Sequence, residues 1–322
     1  MTSQARSFAL VTLLLAAVSA YAGEADIVLK PASTARFVIY GDIRFTNPEN
    51  TSPSDPQRRK MLVNHIAGER PAFVAITGDL VLNGSSTADW SVFDAEIAPL
   101  KSAVPIFPVL GNHDLRGNLQ SALKNYFQRF PALRNRRWYS MQFGSAWFFM
   151  LDSSADQVDG DEWKWLRSNL ASLPADAKYV FFLMHHPPIT RSSDRMFGGG
   201  HSARPQEQKL MDLIEGAQTS SRAHFLVFSG HVHNYERYEH GGVEYIVSGG
   251  GGATPYMVDR QPGDHYADPG PTYHYCRLTI TPEGLKVEMV KMEPQRRAAG
   301  WSVRDSFELS AGASTRAQPA GR

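Results

Sequence analysis

Five short phrases in the chain carry side chains able to hold a cation or move a proton. They are Gly41-Asp42, Gly78-Asp79, Gly111-Asn112-His113-Asp114, His185-His186-Pro187 and Gly230-His231-Val232-His233. In four of the five a glycine precedes the first polar residue, which lets the backbone turn sharply and approach a ligand closely. Each phrase alone is more often a turn, or two residues on one strand face, than a site of chemistry. Together they point to a site, because the residue types suit one job. Two Asp carboxylates, one Asn carbonyl and three His imidazoles form a mixed oxygen and nitrogen set that suits Zn, Mn or Fe, whereas Ca or Mg would favour oxygen alone. A carboxylate can bridge two cations about 3.5 to 4 Å apart, the spacing that clamps the attacking and leaving oxygens of an in-line displacement. Phosphoryl transfer is the natural use of such a set.

Each phrase follows a short run rich in β-branched, aromatic or other apolar residues: 36–40, 72–77, 106–110, 179–184 and 225–229, with a further run at 147–151. Segments 55–69, 161–173 and 205–217 have apolar residues at three and four spacing and read as helices. Strands alternating with helices predict an α/β sheet, in which ligand sites gather outside the carboxyl ends of the strands, so distant phrases can converge. Runs 243–248, 273–281 and 285–291 read as hairpin strands, the last two joined by Pro282-Glu283-Gly284, and suggest a second, more antiparallel sheet.

With 322 residues, 42% of them hydrophobic and 20% charged, the chain has an ordinary globular composition. The net charge of +1 provides no field to draw nucleic acid. Arg6, the apolar stretch 8–18 and Ala20-Tyr21-Ala22 read as a signal peptide, 1–22, cleaved near Ala22 to yield a periplasmic or secreted protein. The apolar stretch is well short of the roughly 20 residues of a membrane span, and no second one follows. Residues 23–310 are expected to form one catalytic domain, and 311–322, small and polar, a disordered tail. Cys276, the only cysteine, can form no internal disulfide and reads as a buried strand thiol.

In motif order the chain resembles the calcineurin-like metallophosphoesterases, particularly small bacterial relatives of purple acid phosphatases. The most specific pieces are Gly111-Asn112-His113-Asp114 and the run Gly230 to Arg237, followed by four glycines, Gly249 to Gly252. The resemblance implies an α/β four-layer αββα sandwich of two mixed sheets, with a dimetal site at the carboxyl ends of the strands. It implies that Asp42 binds the first of two Fe, Mn or Zn ions, that Asp79 bridges, that Asn112, His185 and His231 bind the second, and that His233 returns to the first. His186 is left out of this set. His113 would face the substrate as a hydrogen-bond or proton donor, with Asp114 as its orienting carboxylate. The function expected is hydrolysis of a small phosphomonoester by attack of a metal-bridging hydroxide. The alternatives are a phosphodiesterase or nucleotidase of the same family, with loops 152–161 and 190–204 shaping the leaving-group pocket, or a non-catalytic metal-dependent binding module.

Two positions depart from the family pattern. Arg44 stands two residues after Asp42, where the family has His or Gly, and either binds substrate phosphate or pairs with a nearby carboxylate. Leu82 stands where purple acid phosphatases place a tyrosine ligand, so a colourless or weakly coloured protein is expected. His201 is either a second proton donor reaching over the site or an exposed loop residue. Gly249 to Gly252 either wall the cleft or make a tight turn.

Overall fold

The structure, a computed structural model, describes residues 24–31, 35–154, 159–192, 201–293 and 300–312. The expected signal peptide and nearly all of the expected tail lie outside them. The chain begins β1 (Ile27–Leu29), β2 (Ala35–Tyr40), α1 (Pro56–Glu69), β3 (Val74–Ile76), α2 (Thr87–Glu96), α3 (Ala98–Lys101) and β4 (Ile106–Pro108). It continues α4 (Leu119–Arg129), β5 (Tyr139–Phe143), β6 (Ala146–Met150), α5 (Asp161–Ala171), β7 (Tyr179–Leu183) and α6 (Pro205–Gln218). It closes with β8 (His224–Ser229), β9 (Tyr235–His240), β10 (Val243–Ser248), β11 (His274–Ile280), β12 (Gly284–Glu293) and β13 (Gly300–Ser310).

Local sequence explains the helix starts. Asp55 caps α1, its carboxylate accepting from the amides of Gln57 and Arg58, and Pro56 needs no hydrogen-bond partner in the first turn. Ser86 and Asn118 cap α2 and α4 in the same way. The central strands β6 and β7 are buried along their whole length, so they read as unbroken apolar runs rather than alternating ones.

The strands form two mixed sheets. One has the order β1-β5-β6-β7-β8-β10-β9, the other β13-β12-β11-β2-β3-β4. They meet through an aromatic core in which Phe37 of β2 packs edge-on against Phe148 of β6 and Phe181 of β7, with ring centroids 5.4 and 5.5 Å apart. Phe37 also stacks on Phe73 at 4.9 Å, and Phe148 on Phe181 at 4.6 Å. Each such buried ring contributes roughly 1.5–3 kcal/mol. Leu166 of α5 and Leu210, Met211 and Ile214 of α6 cover the outer face of the first sheet, and Leu62, Val63 and Ile66 of α1 pack on the core that includes the second.

The α/β sandwich of two mixed sheets agrees with expectation, but the division of strands between sheets does not. The sequence suggests that the early strands share one sheet and 243–248 joins the later hairpins. Instead β2, β3 and β4 lie beside β11, β12 and β13, and β10 pairs with β8 and β9. Strand pairing across such distances is set by which faces can be buried together, which a strand's own residues do not reveal.

Candidate metal centre

The five phrases converge. β2, β3 and β4 are parallel neighbours in one sheet and β7 and β8 in the other, so their carboxyl ends lie together at the edge where the sheets meet. The junction is tight: the amide of His231 donates to Asp42 Oδ2 at 2.9 Å, and a Cβ on Gly230 would stand 2.3 Å from that oxygen. Only glycine fits there. Asp42, Arg44, Asp79 and His231 all adopt left-handed backbone, with φ of 58°, 53°, 54° and 68°. For non-glycine residues that conformation costs on the order of 1–3 kcal/mol each, and such strain gathers where function demands a particular side-chain direction.

One half of the centre is built around His185, wholly buried. Its Nδ1 lies 2.9 Å from the carbonyl of Thr77 and, because a carbonyl only accepts, must carry the proton. Nε2 is left with a lone pair, and burial lowers the pKa of the ring, favouring this neutral form. That nitrogen faces Asn112 Oδ1 at 2.9 Å, His231 Nδ1 at 3.2 Å and Asp79 Oδ1 at 3.4 Å. His185 Nε2, Asn112 Oδ1 and Asp79 Oδ1 bring lone pairs to one point with the His231 ring beside them, an arrangement that a cation relieves.

The other half is formed by Asp42 and His233. Nδ1 of His233 donates to the Thr254 carbonyl at 2.9 Å, so its Nε2 also keeps a lone pair. Nε2 lies 3.7 Å from Asp42 Oδ1, and both atoms are buried without a hydrogen-bond partner among the described residues. Buried polar atoms are ordinarily paired, and these two fit a shared cation. Burial and the neighbouring charge of Asp79 push the Asp42 carboxyl well above the usual range, as expected of a pocket short of positive charge. Asp42, Asp79 and His185 bring ligand atoms within 4.8 Å of one another, which links the halves through Asp79.

Of the two readings of Arg44, the structure has carboxylate pairing: Nη2 lies 3.1 Å and Nε 3.2 Å from Asp79 Oδ2. The backbone carbonyl of Arg44 accepts from Ser54 and from Arg59, whose wholly buried guanidinium also pairs with Glu96. Arg59 escapes a motif search because it lies inside an ordinary helical pattern.

His113 stands half-buried at the mouth, its Nδ1 2.7 Å from the Leu82 carbonyl and its amide donating to Asp79 Oδ1 at 2.9 Å. Asp114 is not its orienting carboxylate. The Asp114 side chain is wholly buried and accepts from the amides of Leu80, Val81 and Gly111, so it clamps two strand-end loops together, and a backbone carbonyl orients His113 instead. A carboxylate meeting three converging amides is satisfied in place and has no reason to turn outward.

His201 stacks against the His231 ring at 4.8 Å and lies 5.8 Å from Tyr256, so it adjoins the centre, although the loop before it, 193–200, is outside the described residues. Gly249 to Gly252 are buried against the Asp42 loop, with the Gly251 amide donating to the Gly41 carbonyl at 2.9 Å. Cys276 is buried in β11 and its thiol is pushed up to about 12 by burial, as suits an inert strand thiol. Trp163 and Trp165 pack on the core between α5, α6 and the first sheet.

Residues 35–235 match the family model described as calcineurin-like phosphoesterase. Purple acid phosphatase 23 of Arabidopsis thaliana is 24% identical over 281 residues, covering 75% of this chain and 57% of that protein. Probable inactive purple acid phosphatase 24 of the same plant is 27% identical over 178 residues, covering 50% of this chain and 28% of that protein. The chain therefore spans at most 57% of the length of these two relatives. The solved structure of a purple acid phosphatase from yellow lupin (Lupinus luteus) seeds shares the fold, with a TM-score of 0.69 at 22% identity over 87% of this chain and 54% of that one.

Proposed function

This chain belongs to the calcineurin-like phosphoesterase family, and on that premise we propose that it hydrolyses a phosphomonoester at a two-cation centre built by Asp42, Asp79, Asn112, His185, His231 and His233. The observation that carries the reading is the locked histidine pair: Nδ1 of His185 and of His233 each donates to a backbone carbonyl, which leaves both Nε2 lone pairs for cations. When bound, the cations supply Lewis-acid polarisation of the phosphate and a lowered pKa for water. Asn112 completes its half with a neutral carbonyl and adds no negative charge to repel phosphate. His113, with Nδ1 held by Leu82, has Nε2 as its titrating atom and is placed to protonate the departing alkoxide. His201 adjoins the same mouth and is a second candidate donor.

Monoester or diester preference would be set by loops 152–161 and 190–204, of which 155–158 and 193–200 lie outside the described residues. A non-catalytic binding module is the reading favoured by a relative named probable inactive, and by Arg44 occupying Asp79 Oδ2. Assaying a chromogenic monoester and diester with Mn, Zn and Fe separates the three: no turnover of either ester with any metal leaves only the binding module. Export after cleavage near Ala22 is part of the proposal. Mass spectrometry should find Gly23 as the mature N-terminus, and an intact Met1 would count against it.

A further inference from the structure

His186 follows a rule opposite to that of its neighbours. His185, His233 and His113 each direct Nδ1 at a carbonyl, so in the neutral ring each has its proton on Nδ1 and Nε2 free to accept. Nδ1 of His186 instead lies 3.0 Å from the hydroxyl oxygen of Ser153. That oxygen also accepts from the amides of His185, at 3.1 Å, and His186, at 3.0 Å. A hydroxyl has two acceptor lone pairs and one hydrogen. Two amides, which only donate, use both lone pairs, so the hydrogen must go to Nδ1. A neutral imidazole that accepts at Nδ1 has its proton at Nε2.

The position of the ring makes this consequential. His186 is only 6% exposed, its centroid is 4.5 Å from that of His231 and 4.9 Å from that of His185, and the three residues offer ligand atoms within 4.8 Å of one another. By spacing alone they would pass for a third cation site. A ring nitrogen that bears a hydrogen has no lone pair to give a cation, whereas it is a good donor to an anion. We propose that His186 binds no metal and instead presents its Nε2–H as a substrate-positioning donor to the phosphoryl oxygens beside the Asn112, His185 and His231 cluster. The identity of the anion rests on the phosphoesterase reading; the tautomer does not.

The test uses the zinc-loaded full chain. With ¹⁵N-labelled histidine, proton–nitrogen correlation spectra, assigned by the signal that disappears in His186→Gln, should place the His186 proton on Nε2. His186→Leu should keep the zinc content of the unaltered protein while its dissociation constant for inorganic phosphate rises roughly tenfold to a hundredfold, as for a lost hydrogen bond to a charged group. His186→Gln, which restores an N–H donor, should recover most of that affinity. Ser153→Ala keeps the ring but removes the hydroxyl hydrogen, and should give mixed tautomers with intermediate phosphate affinity; it carries the test if His186→Leu does not fold. A proton on Nδ1, loss of zinc from His186→Leu, or unchanged phosphate binding in both variants would overturn the proposal. If the unaltered zinc protein binds no phosphate, the phosphoesterase reading falls and takes the anion role with it.

Discussion

Arg44 holds one oxygen of Asp79 and leaves the other to the histidines: Nη2 is 3.1 Å from Oδ2, while Oδ1 faces His185 Nε2 at 3.4 Å. The carboxylate that links the two halves of the centre is thus already half neutralised on one side. A fixed guanidinium charge there opposes a cation between Asp42 and His233. Arg44→Met should therefore tighten metal binding at the weaker site. It should also destabilise the metal-free protein by about 3 kcal/mol, because the wholly buried Asp79 loses its partner. Calorimetric titration and thermal melts of metal-free protein measure both effects. Weaker metal binding in the variant would mean that Arg44 organises the centre rather than opposing its first cation.

The same asymmetry predicts how the unaltered protein fills. Asp79, Asn112, His185 and His231 offer one half four protein ligands, whereas the other has Asp42, His233 and an Asp79 oxygen shared with Arg44. Metal titration of stripped protein should show two classes of site, with turnover following the weaker class. Two equal sites, or full turnover at one metal per chain, would contradict this. A chelator should lower the melting temperature, since metal at a thousandfold its dissociation constant stabilises by about 4 kcal/mol.

Replacing His113 tests the proton donor. His113→Asn should lower turnover by roughly 10²- to 10⁴-fold and leave metal content unchanged, because the ring contacts the Leu82 carbonyl rather than the metal-facing cluster. Elemental analysis beside steady-state kinetics decides it, and loss of metal would make His113 a ligand instead.

Glu162, at the start of α5, sets a pH dependence away from the centre. Burial pushes its carboxyl up to about 8, although it accepts the Asp152 amide at 2.7 Å. Between the ordinary glutamate value of 4.5 and about 8, the folded protein holds a proton that the unfolded chain has lost. Stability therefore falls as pH rises through that window, by up to about 1.4 kcal/mol per unit. Glu162→Gln cannot lose a proton, so it should match the unaltered protein near pH 4 and exceed it near pH 8. Melting temperatures of both proteins across that range provide the check, and parallel curves would refute it.

Which residues could meet is legible along the chain. Asp42, Asp79, Asn112, His185, His231 and His233 were recoverable because chemistry-bearing side chains follow directly on apolar strand runs, and because glycine is needed where the backbone turns tightly, as at Gly230 beside Asp42. The strands that carry them, β2, β3, β4, β7 and β8, have local signatures in their own apolar content, as do the helices α1, α5 and α6 in their periodicity. Helices α2 and α4 and strands β5, β9 and β13 have weaker local patterns, which do not stand out along the sequence.

How each of these residues is engaged depends on packing between segments far apart in the chain. Whether β10 lies beside β8 or β11, whether Asp114 serves His113 or the backbone of Leu80 and Gly111, and whether Arg44 meets substrate or Asp79 all depend on partners distant in sequence. The protonation pattern of the histidines is still less visible in the sequence. Thr77, Thr254 and Leu82 act through backbone carbonyls, which every residue possesses, and Ser153 through a hydroxyl 33 residues from His186. Residue identity sets the chemistry a side chain can perform, but the atoms packed around it determine which nitrogen holds the proton and which carboxylate stays charged.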